Sequence, residues 1–222
     1  ILLAVDVSAS GDFGSTARTK REIEAEIASV LALSAVRNSD RVGLVLFSDQ
    51  IESFVPPRKG RQHVLRLVRE VLSCRPERRG TDVARALEFV DRISRRRAMV
   101  FVLSDFQSAG EPTAAKAALR RALRMARRRH DVVALRVSDP RERELPDVGL
   151  LTVEDAETGQ MIEIDTGSAR VRQRFAAEAR EHEARLARTL RQESIDSVAI
   201  DTSQPYLPAL VQLFAGRARR RR

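Results

Sequence analysis

Short apolar segments rich in β-branched residues alternate along the chain with segments whose apolar residues recur at helical spacing. Residues 1–7, 42–47 and 131–137 are of the first kind, and residues 98–103 are apolar throughout. A strand that is apolar on both faces must be covered on both sides, and parallel strands need long crossover connections. The pattern therefore predicts an α/β fold, with a doubly wound, mostly parallel sheet and helices on both faces.

Two segments depart from this alternation. A short turn leads from the second predicted strand directly into residues 51–55, so we expect the third strand to be an antiparallel edge strand that Pro56 and Pro57 terminate. Residues 138–166 contain two strand-like pieces around a turn at 156–159. We expect them to form a β-hairpin insertion at the edge of the sheet.

Length and hydropathy bound the class of protein. The 222 residues, 43% of them apolar, suffice for one substantial core, and we expect residues 1–222 to form a single domain. No apolar stretch approaches the roughly 20 residues of a membrane-spanning helix, so we expect a cytoplasmic protein. Because the chain opens inside a predicted core strand, we also expect a further region upstream, which could carry targeting signals.

The formal net charge of +9 is partly the property of one segment. Five arginines lie in residues 217–222, which we expect to form a basic C-terminal tail, and without them the net charge is +4. The clusters at 95–97 and 127–129 lie at predicted helix ends, where cations face the helix dipole favourably. Aromatic residues make up only 4% of the chain, which disfavours nucleic-acid binding but leaves it open as an alternative.

Cysteine and histidine are too sparse to form a metal site in the sequence. Cys74 is the one cysteine, and we expect it to be packed. His63, His130 and His182 lack the spacing of metal ligands, and we expect them at solvated surface positions.

Oxygen-bearing side chains follow the first predicted strand. Asp6, Ser8 and Ser10 occupy alternate positions, so in an extended segment all three point the same way. Such oxygen ligands favour Mg²⁺, with Mn²⁺ as the alternative, over zinc or copper. Thr81 and Asp105 lie in later loops, at the carboxyl ends of strands where doubly wound sheets gather their ligands. These five residues are the predicted metal site.

Each of these residues also has an ordinary structural interpretation. Thr81 could be a helix N-cap followed by the acidic Asp82, and Asp105 could begin a turn. The joint pattern at three strand ends favours metal binding over independent caps. Asp12 and Asp82 lie beside the same loops and are candidates for supporting the ligands from behind.

The five residues resemble the metal-ion-dependent adhesion site of von Willebrand factor A domains. In that site Asp-x-Ser-x-Ser is followed by a Thr in a later loop and by an Asp after the central strand. Further segments resemble the bacterial family called domain of unknown function 58. They are residues 6–8, 12–14, 43–48, 55–58, 79–82, 103–106, 131–137 and 141–149.

The resemblance implies that the hydroxyls of Ser8, Ser10 and Thr81 ligate Mg²⁺, while Asp6 and Asp105 act mainly through water. It implies a protein-binding module and not an enzyme, associated with MoxR-type AAA+ ATPases in a chaperone or complex-assembly system. Because neutral hydroxyls leave much of a cation's charge uncompensated, an open position on the metal favours an Asp or Glu of a partner. A metal-dependent phosphoryl hydrolase is the alternative, although no general base or nucleophile is evident.

Overall fold

The sheet is built from six strands in the order β3-β2-β1-β4-β5-β8. The computed structural model describes residues 1–107, 112–154 and 159–220. The strands are β1 (Leu2–Asp6), β2 (Val42–Phe47), β3 (Ile51–Arg58), β4 (Met99–Ser104), β5 (Asp131–Ser138), β6 (Leu150–Glu154), β7 (Met161–Asp165) and β8 (Asp196–Asp201). The helices are α1 (Lys20–Arg37), α2 (Arg61–Ser73), α3 (Val83–Ile93), α4 (Pro112–Arg129), α5 (Ala169–Gln192) and α6 (Leu207–Arg220).

The sheet topology confirms the predicted doubly wound α/β fold. β1 pairs parallel with β2 and β4, and β5 pairs parallel with β4 and β8. β3 runs antiparallel to β2 at one edge, as expected. The chain adds strands outward from β1 in one direction and from β4 in the other. The boundary between β1 and β4 is therefore the switch point at which such sheets bind their ligands.

Helices cover both faces because alternate side chains of the strands point to opposite sides. Leu3 and Val5 of β1 pack into a core with residues of α1, α2 and α6. Leu2 and Ala4 pack into a second core with residues of α3 and α4, including Leu123. All four β1 side chains are at most 2% exposed. Burying a leucine or valine side chain contributes about 1.5 to 3 kcal/mol, so β1 is fixed firmly from both sides.

The edge of the sheet and the hairpin differ in detail from the prediction. β3 does not end at the proline pair but continues through Pro56 and Pro57 to Arg58, which pairs with Val42. Proline lacks an N–H, and an edge strand tolerates this because one of its sides has no ladder bonds to lose. The hairpin β6–β7 forms a separate two-stranded sheet. Of its expected turn at 156–159, only Gly159 lies within the described residues.

The expected basic tail is wrong for residues 217–220, because they continue helix α6. The guanidinium of Arg217 is only 9% exposed and forms ion pairs with Asp131 and Asp196, at the starts of β5 and β8. Arg221 and Arg222 lie outside the described residues. The basic character of this segment therefore has in part a structural cause.

The expectation of a surface position is also wrong for His130, whose side chain is only 1% exposed. Its Nδ1 accepts a hydrogen bond from the N–H of Ala98 at 3.2 Å, and burial lowers its pKa.

Within the described ranges, no helix is both long and apolar enough to cross a membrane.

Candidate metal-ion site

Three loops meet at the carboxyl ends of the central strands. Asp6 is the last residue of β1, and the next turn begins a short 3₁₀ helix, Ala9–Asp12. The N–H of Ala9 donates to the carbonyl of Arg79 at 3.1 Å, which holds the loop before α3 against this turn. Asp105 directly follows β4, the parallel neighbour of β1. The sheet thus brings together segments that are far apart in sequence.

Hydrogen bonds connect four of the five predicted ligands. The hydroxyl oxygens of Ser8 and Ser10 lie 3.1 Å apart. The hydroxyl of Ser10 donates to Oδ2 of Asp105 at 2.8 Å, and the N–H of Ser8 donates to Oδ1 of Asp6 at 3.0 Å. These side chains therefore converge, although Ser10 lies in the 3₁₀ helix and not in the extended segment that the alternation assumes.

Asp6 is a buried carboxyl group in an unfavourable electrostatic position. It is 4% exposed, and its Oδ2 accepts a 2.6 Å hydrogen bond from the hydroxyl of Ser104. Burial and the negative charge of Asp105 raise the pKa of Asp6 to about 6, although the hydrogen bonds from Ser104 and Ser8 oppose the shift. A cation placed between the two carboxylates would relieve this repulsion.

Thr81 has a buried hydroxyl that the described part of the protein leaves unpaired. The residue is 4% exposed, and its Oγ1 has no hydrogen-bond partner among the described residues. Helix α3 is capped instead by Asp82, whose carboxylate accepts the N–H of Arg85 at 2.9 Å. Capping therefore accounts for Asp82 and not for Thr81. A buried hydroxyl without a partner costs about 1 to 3 kcal/mol, so Thr81 requires another explanation.

The two residues that we expected to support the ligands have different partners. Asp82 caps α3, as described above. The carboxylate of Asp12 is 70% exposed and forms a 2.9 Å ion pair with Arg21. The guanidinium of Arg21 in turn donates to the carbonyls of Val7 and Ser8 at 3.1 and 3.3 Å. Asp12 thus contacts the turn that carries Ser8 and Ser10 only indirectly, through Arg21.

Lys20 is the part of the site that the sequence analysis missed. Its side chain is 2% exposed, and its Nζ lies 2.6 Å from Oδ2 of Asp105 and 2.5 Å from Oε1 of Glu142. Burial by itself would lower the pKa of Lys20, but the two carboxylates raise it, so the amine is an ammonium ion. Lys20 is the first residue of α1, where the helix dipole disfavours a cation. This mismatch is the one signal in the sequence that could have marked it.

Glu24 lies one turn further along α1 and is also buried, at 3% exposed. Burial raises its pKa well above the usual range, and the charges of Asp6 and Asp105 add to the shift. Several acidic groups are therefore crowded behind the ligand loops.

The side chains at this edge fit a hard cation. Among the described residues, no group of three or more His, Cys, Asp or Glu side chains is arranged to hold a metal. A site here would therefore depend on hydroxyl oxygens. The paired hydroxyls of Ser8 and Ser10, the unpaired hydroxyl of Thr81 and two mutually repelling carboxylates supply the oxygen ligands that Mg²⁺ and Mn²⁺ accept.

Comparison with known proteins places the chain in a family. The family model described as "Protein of unknown function DUF58" matches residues 1–185. The chain belongs to the DUF58 family. An uncharacterized relative, Rv1480 of Mycobacterium tuberculosis, is 33% identical over 219 residues, which cover 98% of this chain and 67% of that protein.

Two solved structures share the fold of this DUF58 chain. BatB of Bacteroides thetaiotaomicron, a conserved hypothetical protein, is 17% identical, with a TM-score of 0.59 and 98% of each chain covered. An aerotolerance-related membrane protein of Bacteroides fragilis is 18% identical, with a TM-score of 0.59 and 97% and 98% of the two chains covered. Because the sequence identities are this low, the two structural similarities support the α/β fold alone. That fold agrees with the one expected from the resemblance to von Willebrand factor A domains.

Proposed function

We propose that this DUF58 chain is a metal-ion-dependent protein-binding module that captures an Asp or Glu side chain of a partner protein. Its metal would be Mg²⁺, with Mn²⁺ as the alternative. The buried hydroxyl of Thr81 supports the proposal most strongly, because it lies at the same edge as Ser8 and Ser10 and has no partner among the described residues. A role as an oxygen ligand of a cation would explain why Thr81 carries a buried hydroxyl without a partner.

The proposed division of roles is the one that the resemblance to von Willebrand factor A domains implies. Ser8, Ser10 and Thr81 would bind the metal as neutral ligands, and Asp6 and Asp105 would hold its water molecules. When bound, Mg²⁺ supplies a positive charge with an open coordination position. Lys20 already compensates Asp105, so the protein neutralises the added charge only in part. The remaining positive charge attracts a carboxylate from outside.

The surroundings of the hydroxyls favour binding over catalysis. Ser8 and Ser10 are hydrogen-bonded to each other, and Ser10 also donates to Asp105. No histidine or cysteine among the described residues joins these bonds. The hydrolase alternative predicts turnover in a phosphatase and nuclease panel with Mg²⁺ or Mn²⁺. If wild type shows turnover and Asp6→Ala abolishes it, the hydrolase alternative is correct and the binding proposal is wrong.

Several arginines that could have served nucleic-acid binding have structural partners. Arg127 donates to the carbonyl of Ser194 at 2.9 Å, Arg129 donates to the carbonyls of Asp91 and Ser94, and Arg217 is paired with carboxylates. Nucleic-acid binding would appear as a steep salt dependence that survives EDTA. A metal-dependent module predicts the opposite response to EDTA.

The proposed partner is a MoxR-type AAA+ ATPase, with both proteins in the cytoplasm and the module assisting assembly of a complex. The test is a pull-down with such an ATPase from the same organism in Mg²⁺ and in EDTA. Wild type should retain the ATPase in Mg²⁺ alone, and Ser8→Ala/Ser10→Ala should lose it. Ser29→Ala removes a hydroxyl that donates within α1 to Ala25 and should behave as wild type. Retention by the double variant in EDTA would refute metal-dependent capture.

A further inference from the structure

Lys20 places a permanent positive charge on one of the proposed metal-supporting carboxylates. Its Nζ contacts Oδ2 of Asp105 at 2.6 Å, and the same oxygen accepts the hydroxyl of Ser10 at 2.8 Å. Both side chains of the ion pair are nearly inaccessible, at 2% and 3% exposed. Charges interact strongly when water is excluded, so this ammonium affects every other charge at the site.

Lys20 offsets part of the negative charge around the ligand loops. Asp6, Glu24, Asp105 and Glu142 are all acidic and largely buried, and the first three influence one another electrostatically. Lys20 contacts two of these four carboxylates directly. A divalent cation at the same edge would compete with the ammonium for the charge of Asp105.

We propose that Lys20 is an internal counter-cation that competes with the divalent metal for Asp105, and that Glu142 holds the ammonium when the metal engages Asp105. This proposal concerns the affinity of the site and rests on the proposed function. Lys20 thereby lowers the affinity of the site for Mg²⁺ and stabilises the metal-free protein.

Glu142 connects Lys20 to a segment outside the proposed metal site. It ends the short 3₁₀ helix Pro140–Glu142, which follows β5. Its second oxygen accepts the N–H of Asp139 at 2.9 Å, and Asp139 accepts the hydroxyl of Thr202 at 3.0 Å. A shift of the Lys20 ammonium between Asp105 and Glu142 would therefore alter the contacts of the segment that leads into the β6–β7 hairpin.

Two substitutions with opposite charge effects test the proposal by calorimetric titration with Mg²⁺. Lys20→Met removes the ammonium and keeps the aliphatic chain, so the affinity for Mg²⁺ should rise at least about tenfold. Glu142→Gln leaves the ammonium to Asp105 alone, so the affinity should fall at least about threefold. Melting in EDTA is the second readout, and Lys20→Met should melt below wild type there and recover in Mg²⁺.

The outcomes separate the two proposals. Unchanged affinity in both variants, with clear binding in wild type, overturns the role of Lys20 and leaves the metal site standing. Binding in Lys20→Met but not in wild type supports the role of Lys20 and overturns metal-dependent capture by the native chain. If neither wild type nor Lys20→Met binds Mg²⁺, both proposals are refuted. If Lys20→Met folds in neither buffer, Glu142→Gln decides: weaker binding supports the proposal, and equal or tighter binding overturns it.

Discussion

Replacing Thr81 by valine should stabilise the metal-free protein and weaken its binding of Mg²⁺. Valine has nearly the shape of threonine and removes only the hydroxyl. That hydroxyl is desolvated, because the residue is 4% exposed, and it has no partner among the described residues. Relief from an unpaired buried hydroxyl contributes about 1 to 2 kcal/mol, which for a chain of this length raises the melting temperature by about 2 to 4 °C per kcal/mol.

The size of the effect on stability should depend on the metal. Mg²⁺ at about 100 times its dissociation constant stabilises a protein by about 2.7 kcal/mol. Loss of one ligand that weakens binding tenfold removes about 1.4 kcal/mol of this stabilisation. Thr81→Val should therefore gain stability over wild type in EDTA and lose most of that gain in Mg²⁺. Urea denaturation of both proteins in both buffers measures the four free energies of unfolding.

Thr202→Val is the matched control. Its hydroxyl is equally buried, at 4% exposed, but donates to Oδ2 of Asp139 at 3.0 Å. This variant should be less stable by about 1 to 3 kcal/mol in either buffer, because it leaves a carboxylate with one donor fewer. The account of Thr81 is refuted if Thr81→Val loses stability in EDTA, or if Mg²⁺ stabilises it as much as it stabilises wild type.

Two further predictions concern charged groups. Because the pKa of Asp6 is raised from 3.8 to about 6, the folded metal-free protein binds a proton that the unfolded chain has released. Its stability in EDTA should fall by up to about 3 kcal/mol as the pH rises from about 4 to 6, and Asp6→Asn should flatten this part of the pH profile. Arg217→Met should lower the free energy of unfolding by about 1.5 to 3 kcal/mol, because it removes the buried guanidinium that pairs with Asp131 and Asp196, while Arg220 keeps its own contact with Asp196. The exposed Arg219→Met should stay within about 0.5 kcal/mol of wild type, and equal losses in both variants would contradict a structural role for Arg217.

The sheet and most of the ligand loops could be predicted because they follow from local rules. Apolar runs identify strands, and parallel strands present their carboxyl ends at one edge, so the meeting of Ser10 and Asp105 follows although 95 residues separate them. The alternation of Asp6, Ser8 and Ser10 is likewise a local pattern. The extended geometry applies to Asp6 and Ser8, whereas Ser10 reaches the same place from the 3₁₀ helix Ala9–Asp12.

The rest depended on contacts that no local pattern encodes. Lys20 has partners 85 and 122 residues away, and its position at the start of α1 is locally unfavourable. Arg217 looked like part of a charged tail because its partners begin strands far from it in sequence. For such residues, tertiary contacts override the preference of the segment in which they lie.

Titration of Mg²⁺ into EDTA-treated protein tests the central claim most directly. We expect wild type to bind one Mg²⁺ per chain with saturable heat, and Ser8→Ala/Ser10→Ala to lose this binding while it keeps the fold by circular dichroism. Removing both hydroxyls leaves the carboxylates in place, so the variant separates ligation by hydroxyls from general attraction to buried acids. Equal affinity in the two proteins would contradict the account.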